Sequence, residues 1–111
     1  MGRPVRYHRQ FLADLAARVE WLERNRPAGQ RDTLQQAVTA FVVRVSDFPA
    51  AAHEDRRRGG VSYRVCLLAD PLPYLVWYSF DESKPNGPVW ILMLLHEAQD
   101  RAQFDPSRFD G

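Results

Sequence analysis

Few side chains in this sequence are equipped to move protons or to hold developing charge. The histidines are His8, His53 and His96, the single cysteine is Cys66, and Lys84 stands alone against 14 arginines. Breaking a phosphodiester without a metal takes a base for the 2′-hydroxyl, an acid for the leaving oxygen and a cation for the phosphorane charge. His96 ends an apolar run, at a place where strand ends expose side chains at the rim of a sheet, and would serve as acid or base. Arg64 and Arg101 would stabilise charge, and Arg56, Arg57 and Arg58 would hold flanking phosphates or an acidic target. Each also has a plainer reading. His96 is then a histidine bonded to neighbouring backbone, Arg64 a partner in an ion pair, and the arginine run a solvated loop. Glu54 and Asp55 precede that run and cancel two of its charges.

Other chemistries have less to build on. The three histidines lie far apart with no cysteine cluster, so no metal site is expected. One cysteine rules out an internal disulfide framework, and Cys66, in mid-strand with no nearby histidine, reads as a core residue. No glycine-rich phosphate loop, nucleophile elbow or HExxH pattern occurs, and no cofactor is expected.

The elements that must position these residues follow from hydrophobic period. Pro4–His8 alternates as a short strand does. Phe11, Leu12, Leu15, Val19 and Leu22 recur at helical steps, which predicts an amphipathic helix from about Gln10 to Asn25. After a turn at 25–29, Leu34, Val38, Phe41, Val42 and Val45 predict a second helix from Gln30 to Asp47, closed by Phe48-Pro49. Residues 49–60 read as a loop. Strands are expected at Val61–Ala69, Tyr74–Phe80 and Val89–His96, the last apolar on both faces and so covered on both. Trp77 and Tyr78 must point to opposite faces, as core, partner contact or base-stacking platform. The tail from Ala98 to Gly111 has weak patterning and reads as flexible over 102–111. A helical pair followed by a three-strand antiparallel meander is an α+β domain with helices packed on the sheet.

Size and charge set limits on function. A 111-residue chain fits one domain spanning 1–111 and buries about 65% of its unfolded surface, enough for a core without staples. Its longest apolar run, Val89–Leu95, is far too short to span a membrane, and no secretory signal pattern opens the chain, so a cytoplasmic protein is expected. Net charge is +1, with a basic excess in residues 1–31 and 53–64 and an acidic excess after residue 65. A protein gripping many phosphates would carry a larger excess.

Particular residues in this order resemble a known family. Ala13-Asp14-Leu15 lies early in the first helix, Trp21 follows, and Phe48-Pro49 closes the second helix. Gly60-Val61-Ser62-Tyr63-Arg64-Val65 opens one strand, Tyr74-Leu75-Val76-Trp77-Tyr78 forms the next, and Ile91–His96 precedes a segment ending Asp100-Arg101. Over roughly residues 4–104 the chain resembles the RelE/ParE superfamily of bacterial type II toxin–antitoxin toxins. The RelE-like branch implies a ribosome-dependent endonuclease acting on mRNA, and the ParE-like branch a poison of DNA gyrase. Tyr63-Arg64 and Leu95-His96 look more like the ParE branch, as does the modest net charge. The nuclease branch commonly places lysines near its centre and often ends on a tyrosine. Here the lysine lies in the 81–88 turn and the tail carries Phe104 and Phe109. The resemblance further implies a cognate antitoxin that wraps the toxin in an oligomeric complex, with no membrane partner. An inert, antitoxin-binding relative is the third reading.

Overall fold

The change of hydrophobic period along the chain becomes a change of layer. The computed structural model describes residues 2–26, 28–69, 72–97 and 104–109. Strand β1 (Val5–Tyr7) leads into helix α1 (Arg9–Asn25), and helix α2 (Gln30–Asp47) leads through a 3-10 turn at Pro49–Ala51 to strand β2 (His53–Arg58). Strands β3 (Val61–Ala69), β4 (Leu72–Asp81) and β5 (Val89–His96) complete one sheet in the order β1-β5-β4-β3-β2. Strands β1 and β5 pair in parallel, and the other neighbours in this order are antiparallel.

The expected α+β architecture is present, with one addition. Residues 53–58 are not a loop but an edge strand, joined to β3 by the two-residue turn Gly59-Gly60 between the paired Arg58 and Val61. Gly59 has φ +61°, the left-handed geometry that such a hairpin turn requires and glycine adopts without a steric penalty. The strand carries His-Glu-Asp-Arg-Arg-Arg and no apolar residue, so alternation could not reveal it. Charged edge strands resist pairing with other chains.

Both helices bury the stripes their spacing predicts. Phe11 and Leu22 of α1 and Leu34, Phe41 and Val45 of α2 pack on Leu68, Val76, Tyr78, Phe80 and Ile91 of the sheet. Leu12, placed on the stripe by spacing, instead stays 51% exposed. The opposite face holds Tyr63, Val65, Leu75, Trp77, Leu92, Met93 and Leu95, and Phe104 and Phe109 cover it. The Phe104 ring stacks on Trp77 at 5.3 Å and on Phe109 at 5.7 Å. Two-sided burial of β5 is thus met by helices on one face and a short aromatic segment, with its 3-10 turn at Pro106–Phe109, on the other. A bulge at Leu92, which faces no partner between the pairs Trp77↔Met93 and Tyr78↔Ile91, puts Leu92 and Met93 on the same face. Of the tail read as flexible, residues 102, 103, 110 and 111 lie outside the described residues.

The start of α1 carries a pH-sensitive cap. The His8 Nδ1 accepts the Gln10 N–H at 3.0 Å, so that nitrogen must be unprotonated. Burial, then Arg9 and Arg108, hold the imidazole below its ordinary 6.5. The unfolded chain therefore takes up a proton that the folded one resists. This contribution is complete above pH 6.5 and is lost as pH falls through the folded value. Because asparagine also caps helices but does not titrate, His8→Asn is expected to flatten the loss of urea midpoint between about pH 7 and pH 5. A profile as steep as that of the unaltered protein would place the effect elsewhere.

Candidate functional site

Arg64 points to the helix side of β3, opposite Tyr78, and each of its guanidinium nitrogens has an acceptor. Nη1 donates to the Ala50 and Ala52 carbonyls at 2.9 and 2.8 Å, and Nε donates to Ser62 Oγ at 2.9 Å. Nη2 reaches Glu82 at 3.5 Å, and the guanidinium lies over the Phe80 ring. These contacts tie the turn after α2 to the sheet. Tyr78 adds a parallel tie, its hydroxyl donating to the Pro49 carbonyl at 2.5 Å. Burial pushes that phenol up to about 12, so it remains a donor across the physiological range.

The three neighbouring arginines divide between the two faces. Arg57, opposite Ser62, stands between Glu54 and Glu82 at 2.8 Å from each. Ser62 Oγ donates to Glu54 at 2.6 Å, and this bond above all, with Arg57 and Arg64, holds the Glu54 carboxyl below the usual range. Glu82 is held down first by its bond from Arg57. Glu54, Arg57, Glu82 and Arg64 thus form an alternating network on the outer strands. Arg56, opposite Tyr63, faces the other way, pairs with Asp55 at 3.2 Å and lies over Phe104. Arg58 has an interaction partner too. The run offered for flanking phosphates or an acidic target thus also has partners within the protein.

His96 lies at the far end of the sheet. It faces Tyr74 across β4 and β5, the rings edge to face at 5.6 Å. Four residues along β4 and two strand spacings separate it from Arg64, roughly 15 Å. A base and a charge-stabilising cation acting on one phosphate must both lie within hydrogen-bond reach of it, and the fold does not bring these two together. Arg101 lies outside the described residues. Cys66 is half-buried and packs against the core, and burial raises its thiol, which suits a packing side chain and not a nucleophile. Among the described residues no group of three potential metal ligands occurs, and no helix is long and apolar enough to cross a membrane.

The sequence reading overlooked what surrounds His96. Strand β1 covers β5 only as far as Ile91, and beyond it helix α1 flanks the strand. Asp14 closes part of that edge, accepting the Leu94 N–H at 3.1 Å and the Gln10 side-chain amide at 2.7 Å. Gln10 in turn accepts from Arg108 at 3.2 Å. Burial raises the Asp14 carboxyl, while the bonds from Leu94 and Gln10 and the Arg108 charge oppose the rise. Beside it run two open cavities of about 400 and 440 Å³ that share Arg18, Trp21, Tyr74 and His96 as walls. The Arg18 guanidinium sits 5.1 Å from the Trp21 ring and 5.6 Å from the Tyr74 ring, and the Arg26 guanidinium 5.2 Å from Trp21. Arg18 and Trp21 stand three residues apart, neighbours on one helix face, so this pairing was readable from spacing.

Against known families, residues 5–101 match the ParE toxin of the type II toxin–antitoxin system parDE. The chain belongs to the ParE toxin family. As a ParE-family chain it is the toxin of a type II toxin–antitoxin system. None of the curated proteins matches it. The ParE-family chain is similar in structure to a chain of the archaeal RelE–RelB complex from Pyrococcus horikoshii OT3. That TM-score is 0.63 at 16% identity, over 90% of this chain and 100% of the other. It is similar also to a chain of the chromosomal ParDE system from P. aeruginosa, with a TM-score of 0.62 at 16% identity, over 85% of this chain and 95% of the other. At such identity the likeness is one of fold, and it agrees with the helical pair and five-strand sheet of this ParE-family toxin.

Proposed function

We propose that this toxin acts in the cytoplasm by inhibiting DNA gyrase and is neutralised by a cognate antitoxin that binds it directly. The observation that carries the gyrase reading over ribosome-dependent mRNA cleavage is the state of Arg64. A guanidinium spent on two carbonyls, a serine and a glutamate, some 15 Å from His96, has little left to offer a phosphorane. Membership of the ParE family and the modest net charge favour the same reading. Antitoxin binding accords with the two similar structures, both of toxin–antitoxin systems.

The test is supercoiling by purified gyrase with the purified toxin, the antitoxin being added back. Inhibition that antitoxin relieves is the expected result. Untouched supercoiling at large molar excess of folded toxin, with transcripts cut after induction, would replace this reading by the ribosome-dependent nuclease. Untouched supercoiling with neither cleavage nor growth arrest would leave an inert relative.

A further inference from the structure

Arg18 of α1 and Arg26, the residue that caps the helix, enter no ion pair with any described carboxylate. The three carboxylates of α1 are committed elsewhere: Glu20 pairs with Arg24 at 2.6 Å, Glu23 with Arg31 at 2.7 Å, and Asp14 with the Leu94 N–H and Gln10. Among the described residues no ion pair includes Arg18 or Arg26. Both guanidiniums nevertheless lie about 5 Å from one indole ring, so two like charges are held close together and each loses hydration on the side facing Trp21. Contact with the ring restrains both guanidiniums, so an incoming anion meets donors that have lost part of their side-chain freedom.

We propose that the trough walled by Arg18, Trp21, Arg26 and Tyr74 binds an acidic–apolar peptide segment of the antitoxin, carboxylates on the two guanidiniums and an apolar side chain in the adjoining cavity. The proposal rests on the antitoxin reading above and gives it a place and a chemistry. Charge complementarity selects an anionic occupant, and two features favour a peptide over a nucleic acid. The Trp21 ring that a base would stack on already has two guanidiniums about 5 Å from its centre. The cavity that Arg26 helps to line is walled by Leu22, Leu34, Leu72 and Pro73 beside the polar Gln30 and Thr33, and its apolar part suits an aliphatic side chain better than a phosphodiester. Strand addition is not the mode at Leu94, whose N–H is held by Asp14.

The experiment titrates the whole toxin with the antitoxin encoded by the neighbouring gene, and separately with a single-stranded RNA 12-mer, by calorimetry at low and high salt. The toxins compared are the unaltered chain and the Arg18→Gln/Arg26→Gln double variant, which keeps helix propensity and removes both charges. Matching thermal midpoints establish that the variant is folded. The double variant is expected to bind antitoxin about thirtyfold or more weakly and to lose much of the salt dependence. Equal antitoxin affinity for both toxins would overturn the trough while leaving the antitoxin reading intact. No antitoxin binding by the unaltered chain would overturn that reading, and the proposal with it. RNA binding that needs the two arginines, with antitoxin binding unaffected by their loss, would reassign the trough to nucleic acid and overturn the proposal.

Discussion

Arg64→Ala is expected to lower the unfolding free energy by about 3 kcal/mol, which for a domain of this size moves the thermal midpoint by roughly 10–20 °C. The side chain is only 13% exposed, and its removal takes donors from Ala50, Ala52 and Ser62 together. Among the described residues, the turn that links α2 to β2 then keeps the Tyr78 hydroxyl on the Pro49 carbonyl as its side-chain tie to the sheet. Glu82 retains Arg57 at 2.8 Å, so no carboxylate is stranded and the cost stays below that of breaking an isolated buried pair. Lysine keeps the charge but lacks the planar fork that serves two carbonyls and a hydroxyl at once, and Arg64→Lys is expected to cost about 1–2 kcal/mol. Urea unfolding checks both values. Growth arrest on induction separates a structural role from a chemical one: toxicity lost by Arg64→Lys should return at lower temperature. A variant with an unchanged midpoint and no toxicity at any temperature would give Arg64 a direct part in target attack.

Trp77→Ala is expected to cost about 4 kcal/mol, the larger of the two effects. Trp77 is among the largest side chains buried in the protein, and its ring is the base of the stack with Phe104 and Phe109. Truncation opens a cavity under Phe104 and weakens the anchor of the aromatic cover as well. Trp77→Phe should behave differently. The indole Nε1–H is buried and finds no hydrogen-bond partner among the described residues, an omission that costs about 1–3 kcal/mol. Phenylalanine removes that donor and still stacks on Phe104, so the gain offsets most of the lost volume and the net change should stay within about 1 kcal/mol. Denaturant midpoints of the two variants decide it. If Trp77→Phe proves nearly as damaging as Trp77→Ala, the indole N–H has a partner and shape alone does not set the stability of this layer.

Both cases bear on how much the sequence could disclose. Helix α2, β3 and β5 fall where the hydrophobic period puts them, since a stripe such as Leu34, Val38, Phe41 and Val45 has one low-energy solution, a helix with that face buried. The two-sided apolar pattern of β5 likewise demanded a cover on each face, which the helices and Phe104–Phe109 supply. Strand β2 escaped because periodicity registers only apolar burial, and an edge strand of charged residues owes its place to backbone pairing with β3 and to the Gly59-Gly60 turn. Residue type alone made Arg64 and His96 candidates. Chemistry depends on what a side chain already holds and on what stands beside it, and neither quantity is local in sequence. The contacts of Arg64 with Ala50, Ala52 and Glu82 span 12 to 18 positions, and Asp14 meets Leu94 across 80.

Family, layer order and the core were therefore determined by the sequence itself, because local period and residue pattern decide which surfaces must leave water. Which charges are spent and which remain open was decided only by the tertiary structure. Folding closes Arg57 and Arg64 into a network with Glu54 and Glu82, and it leaves Arg18 and Arg26 against Trp21, in no ion pair among the described residues. The physical reason is that an ion pair is made by distance in space, which the chain sets only when its elements dock.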